Sequence, residues 1–123
     1  MSQAREDASR TVLLVEDEYF IADDMARAFE AQGVEVLGPA GSMEDALKLI
    51  EGADRLDGAV LDINLQGEMA FAVADALHNR GVPFVFATGY DRDVIPERFA
   101  HVIRCEKPVE PAKVTRSLFG LAA

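Results

Sequence analysis

Short apolar runs alternate along the chain with segments whose apolar residues recur every three or four positions. Residues 11–15 (TVLLV) read as a buried strand and end abruptly at Glu16-Asp17-Glu18. Ile21, Met25, Ala28 and Phe29 then repeat at helical spacing until Gly33, and residues 34–37 form a second strand. Ser42 followed by Asp45 predicts a helix start, with a stripe of Ala46, Leu47 and Ile50 and a stop at Gly52. Residues 59–63 (AVLDI) repeat the strand pattern, and Met69, Val73, Ala76 and Leu77 make the next helical face before Gly81. Residues 83–87 (PFVFA) are a fourth strand, with Pro83 acceptable only at its start. Pro96 interrupts residues 91–99 and predicts a short or irregular element there. Residues 101–104 read as a fifth strand, and Val114, Leu118 and Phe119 mark a last helix.

Five strands thus alternate with helical segments. Strands that are apolar throughout, rather than on every second residue, belong to a parallel sheet covered on both faces. The expected fold is therefore α/β, a doubly wound five-stranded parallel sheet sandwiched by helices. A chain of 123 residues has room for one such domain, placed at 11–123, with the polar residues 1–10 as a frayed leader and no effector domain.

Composition narrows the setting. Half the residues are hydrophobic and 28% charged, which excludes a disordered chain. The apolar runs are far shorter than the roughly 18 residues a membrane-spanning helix needs, and no signal peptide is recognisable. Cys105 has no cysteine to pair with, and a cytoplasmic location is expected. The net charge of −10 argues against a nucleic-acid partner. Residues 1–90 carry 6 basic and 17 acidic residues, and residues 91–123 carry 6 and 5. One end of the molecule is thus poised to attract a cation, and the other to meet another protein.

The chemistry-bearing residues fall at strand ends. In a doubly wound sheet, ligands bind beyond the carboxyl ends of the strands where strand order reverses. Strand one ends in Glu16 and Asp17, strand three near Asp62, strand four in Thr88-Gly89, and Lys107-Pro108 follows strand five. Taken singly, an acidic residue at a strand end is usually a helix cap or solvated surface. Three carboxylates gathered at one edge repel one another unless something positive neutralises them. Mg²⁺ suits two carboxylates, a carbonyl and several waters. Lys107 adds a fixed positive charge and Thr88 a hydroxyl donor. Together they describe a phosphoryl-binding site with Asp62 as the nucleophile of an aspartyl phosphate.

VLLVEDE (12–18), LDINL (61–65), FATGYD (86–91) and EKP (106–108) resemble, in order and spacing, the motifs of response-regulator receiver domains of two-component signalling. PFVFATGY (83–90) further resembles the FATGUY subgroup of bacterial receivers. The resemblance covers the chain after residue 10 and implies the flavodoxin-like strand order 2-1-3-4-5. It implies that Asp62 accepts phosphate from a sensor histidine kinase, of HWE/HisKA2 kind in this subgroup, or from a histidine phosphotransferase. It also implies Mg²⁺ held by Asp17, Asp62 and the backbone carbonyl of Asn64, with Glu16 acting through a water. Thr88 and Lys107 then bond phosphoryl oxygens, and the output is contact with a downstream protein target. On that reading the chain is not an enzyme beyond its own phosphorylation and dephosphorylation.

Two positions depart from the family pattern. Arg104 stands three residues before the lysine, where many receivers carry an aromatic, and Val109 follows Lys-Pro in place of phenylalanine. An unpaired guanidinium is too costly to bury, so the switch is expected to run through Thr88, Gly89, Tyr90 and residues 91–99, with Arg104 pairing to an acidic neighbour or partner. Residues 91–99 have few apolar anchors and are expected to rearrange easily. Tyr90 is assigned either to phosphate lifetime or to partner contact. Cys105, Met25 and Met69 read as core, and His78 and His101 as surface. The same residues leave two rival readings. A phosphohydrolase of the haloacid-dehalogenase kind needs an aspartate two residues after the nucleophile, where this chain has Asn64. A structural pseudo-receiver takes no phosphate.

Overall fold

The computed structural model describes residues 10–89 and 95–120. Strand β1 (Arg10–Val15) leads to helix α1 (Tyr19–Ala31), then β2 (Val34–Ala40) and α2 (Met43–Gly52). Strand β3 (Gly58–Asp62) is followed by a short pair, β4 (Asn64–Leu65) and β5 (Glu68–Met69), and by α3 (Phe71–Asn79). Strand β6 (Phe84–Thr88), a single 3₁₀ turn (Glu97–Phe99), β7 (Arg104–Glu106) and α4 (Pro111–Phe119) complete the described chain.

The main sheet is parallel, with order β2-β1-β3-β6-β7. Setting aside the small antiparallel pair, this is the 2-1-3-4-5 flavodoxin-like topology the apolar strands imply. Alternate strand residues leave the sheet on opposite sides. Leu13, Val15, Leu61 and Phe86 pack with Ala46 and Ile50 of α2 and with Val73, Ala74 and Leu77 of α3. Val12, Leu14, Val60 and Val85 pack on the other face with Met25, Ala26 and Phe29 of α1 and Val114 of α4. Burial of both faces is why these strands carry no polar alternation.

Local signals set the element ends. Ser42 Oγ accepts from the Asp45 N–H at 3.1 Å and caps α2 as its spacing predicts. Gly38 has φ of 103°, and a Cβ there would stand 2.8 Å from Ala40 N and 2.9 Å from Leu14 O, so β2 needs glycine where it kinks. The β1–β2 register shifts beside that kink, and Ala40 O then accepts the Glu16 N–H at 2.9 Å. The end of β1 is thereby aimed.

The structure corrects several expectations. Arg10 belongs to β1 and not to the leader. The fifth strand is Arg104–Glu106, not 101–104, because the 3₁₀ turn runs into Ala100 and the Val102 N–H bonds Phe99 O at 3.0 Å. Leu47 is exposed, and Leu49 packs on the core beside Ala46 and Ile50 instead. Met69 is exposed too, because it pairs with Asn64 in the short hairpin while Leu65 and Ala70 take the buried places. Of the expected weakly held segment 91–99, the described residues 95–99 are less weakly anchored than expected. Phe99 is buried against Phe71, Phe84 and Phe86 at centroid distances of 5.9–6.0 Å. The adjacent Arg98 pairs with Asp75 of α3 through two 3.0 Å bonds. His78 and His101 are exposed as expected, and Met25 is buried. Cys105 is half-buried against the α1/α4 face, and burial pushes its thiol up. Among the described residues no helix is long and apolar enough to cross a membrane.

Candidate functional site

Strands β1, β3 and β6 end at the same edge of the sheet and bring their terminal side chains together. Among the described residues Glu16, Asp62 and Thr88 are the buried polar ones, at 2%, 6% and 9% exposure, in an otherwise apolar interior. Asp17, next to Glu16, is half-buried. One carboxylate oxygen each from Glu16, Asp17 and Asp62 lies within 4.8 Å of the others. The residues that the sequence places at strand ends are thus neighbours in space.

Lys107 enters from the loop after β7. Its N–H bonds Thr88 O at 2.9 Å, which continues the β6–β7 ladder and aims the side chain inward. Lys107 Nζ donates to Asp62 Oδ2 at 2.9 Å and stands 3.0 Å from Glu16 Oε1. The second contact is an ion pair without hydrogen-bond alignment, so Glu16 Oε1 stays buried with no aligned donor. One oxygen of each carboxylate is held by backbone. Glu18 N–H donates to Glu16 Oε2 at 3.0 Å, Asn64 N–H to Asp62 Oδ1 at 3.2 Å, and Gln66 N–H to Asp17 Oδ2 at 2.8 Å.

The electrostatics follow from this crowding. Burial pushes the Glu16 carboxyl up; the Lys107 ammonium and the Glu18 N–H pull it back, and the nearby Asp62 charge raises it further. Burial would lower the Lys107 ammonium, but its contacts with the Asp62 and Glu16 carboxylates outweigh that and leave it above the ordinary lysine value. One lysine therefore faces three carboxylates. A buried carboxylate oxygen with no aligned hydrogen bond, beside two more carboxylates, is a donor set that a hard divalent cation would complete. The residues present fit Mg²⁺.

Gly89 follows Thr88 and is exposed, whereas Tyr90 and residues 91–94 lie outside the described residues. Arg104 is exposed at the start of β7, opposite Phe86 in register, and makes no ion pair among the described residues. It is not part of the carboxylate cluster. Val109 is buried against the α1/α4 core. Asn64 places its side-chain carbonyl on Gly67 N–H at 3.0 Å. No acid therefore stands where a phosphohydrolase of the rival class would need one.

Sequence reasoning missed two features. One is the β4–β5 hairpin, although Gln66-Gly67 between Leu65 and Met69 carries a turn signal. The other is Tyr19 and Phe20, which open α1 beside the carboxylates. They are 73% and 78% exposed and meet edge to face at 5.4 Å.

The chain as a whole is similar to proteins of known structure. No family model matches the chain. The solution structure of SdrG from Sphingomonas melonis is similar with 36% identity and a TM-score of 0.78, covering 90% of this chain and 97% of SdrG. The crystal structure of a response regulator receiver protein from Sinorhizobium medicae shares the fold at 23% identity, with a TM-score of 0.72 over 89% of this chain and 91% of that one. The phyllosphere-induced regulator PhyR of Methylorubrum extorquens is 33% identical over 112 residues, 89% of this chain and 42% of PhyR. The chain spans less than half the length of the curated relatives it matches.

Proposed function

From a chain that belongs to the response-regulator receiver family, we propose a phosphoacceptor switch in which Asp62 takes a phosphoryl group from a phosphohistidine. The donor is a sensor histidine kinase, of HWE/HisKA2 kind, or a histidine phosphotransferase. The phosphorylated form acts by contact with a downstream protein, and the chain's own chemistry is limited to gaining and losing its phosphate.

One observation carries the reading: the buried Asp62 carboxylate, paired with Lys107 at 2.9 Å, faces two more carboxylates within 4.8 Å. An Asp62 oxygen forms the new P–O bond as the P–N bond of the phosphohistidine breaks, and the imidazole nitrogen keeps the electron pair. Lys107 stabilises charge on the phosphoryl oxygens as they arrive. Thr88, one residue beyond the Ala87 that pairs with Asp62, supplies a hydroxyl to the same group. Glu16, Asp17, Asp62 and the Asn64 carbonyl would hold Mg²⁺, which when bound neutralises the carboxylates and the incoming phosphate.

Incubation with a ³²P-labelled phosphohistidine donor tests the proposal. Label is expected on the wild-type protein with Mg²⁺ present, and neither on Asp62→Asn nor after addition of EDTA. An Asp62→Asn protein that labels normally rejects the assigned nucleophile.

A further inference from the structure

Each of the three carboxylates has one oxygen held by a backbone N–H, but the sources differ. Glu16 and Asp62 take theirs from residues two positions on, Glu18 and Asn64, so each forms locally as its strand ends. Asp17 takes its own from Gln66, 49 residues away, at 2.8 Å. Its side chain makes no other hydrogen bond among the described residues.

Gln66 sits in the turn of the β4–β5 hairpin. The two turn residues, Gln66 and Gly67, have φ of 52° and 86°, both positive as a two-residue type I′ hairpin turn requires. Asn64 Oδ1 braces the turn from inside by accepting the Gly67 N–H at 3.0 Å. Leu65 is buried in the core, and the Ala70 N–H bonds Ile63 O at 2.7 Å, which anchors the hairpin at both ends. A rigid piece of backbone thus reaches across from β3 to a carboxylate on β1.

We infer that this hairpin is the positioning device of the cation site. The Gln66 N–H fixes one Asp17 oxygen and leaves the other for Mg²⁺, and the stiffness of the turn sets the affinity. The inference rests on the proposed reading that Glu16, Asp17 and Asp62 hold that cation. Its physical basis is pre-organisation: a carboxylate oriented before the cation arrives loses less freedom on binding, and groups that orient metal ligands govern affinity nearly as strongly as the ligands do. Gln66 and the Asn64 side chain act here through Asp17, so theirs is a positioning role.

Two variants move the turn in opposite directions. Asn64→Ala keeps the main-chain carbonyl and N–H but removes the brace, and Mg²⁺ affinity measured by isothermal titration calorimetry should fall about tenfold. Gln66→Asn creates the Asn-Gly pair favoured in this turn type and should tighten Mg²⁺ binding. In ¹H–¹⁵N spectra the Gln66 amide should move upfield in Asp17→Ala, reporting loss of its bond. A role in folding alone would change the melting temperature of these variants and leave their Mg²⁺ affinity alone. If the wild type binds Mg²⁺ while both turn variants keep its Kd, or shift it in the same direction, the inference is overturned and the site stands. A wild-type protein that binds no Mg²⁺ overturns the reading beneath it.

Discussion

Lys107 Nζ meets Asp62 Oδ2 at 2.9 Å, joining residues 45 positions apart. Burial disfavours the ammonium, yet Asp62 and Glu16 together hold its affinity for the proton above the ordinary lysine value. A basic group raised on folding stabilises fully below its unfolded value of 10.5 and loses that contribution as pH rises through the folded value. Lys107→Met should therefore lack part of the alkaline loss of stability seen in wild type. Denaturant midpoints measured between neutral and alkaline pH decide this, and parallel curves for the two proteins reject it.

Glu16 has the opposite consequence for the protein without metal. Its carboxyl is raised from 4.5 chiefly by burial, so the folded chain retains a proton that the unfolded chain releases. Stability should fall as pH climbs from 4.5 through the raised value and stay lower above it. Glu16→Gln should flatten that slope in EDTA. Thermal melts of both proteins across this range would show it, and an unchanged slope in the variant would refute the assignment.

Asp17→Asn should weaken Mg²⁺ binding while raising the melting temperature in EDTA. Three carboxylates within 4.8 Å repel one another when a single lysine is their counter-charge, and removing one relieves that repulsion. Calorimetric titration with Mg²⁺ and a melt in EDTA read the two effects separately. Wild-type Mg²⁺ affinity in this variant would remove Asp17 from the ligand set.

Thr88→Val should still accept phosphate, more slowly, and transmit less. Valine keeps the buried shape but has no hydroxyl to follow a phosphoryl group on Asp62. Beryllofluoride, an acyl-phosphate mimic, should shift amide signals of the wild type from Thr88 to Cys105. In Thr88→Val the distant shifts should shrink, and an undiminished response would defeat this route.

Phe99 and Arg98 both tie the 3₁₀ turn down, with unequal strength. Phe99 is buried among three aromatic rings, and Phe99→Ala should cost about 3 kcal/mol through the cavity it leaves. The Arg98–Asp75 pair is exposed on both sides and shares its attraction with water and salt. Arg98→Ala should leave global stability little changed. Urea unfolding of the two variants tests the ranking, and an equal loss in both would contradict it.

How much of this was legible beforehand differs by element. Val12–Val15, residues 59–61 and residues 84–87 are apolar throughout, which is enough to call for a sheet buried on both faces, and hence for the layered fold. The acids and the hydroxyl that close those runs had to share one edge, because parallel strands end on the same side. Glu16, Asp17, Asp62, Thr88 and Lys107 were therefore readable as neighbours from their places at strand ends. What the linear pattern lacks is any record of partners distant along the chain. Arg104–Glu106, not 101–104, forms the last strand because backbone pairing with Phe86–Thr88 decides its register, and a run of mixed residues does not announce that register. Residues 91–99 read as poorly anchored because the linear pattern does not show that Phe71, Phe84 and Phe86 surround Phe99. The Gln66 N–H reaches Asp17 only once β1 and β3 lie side by side, since a backbone donor has no side-chain signature by which a sequence could reveal its target.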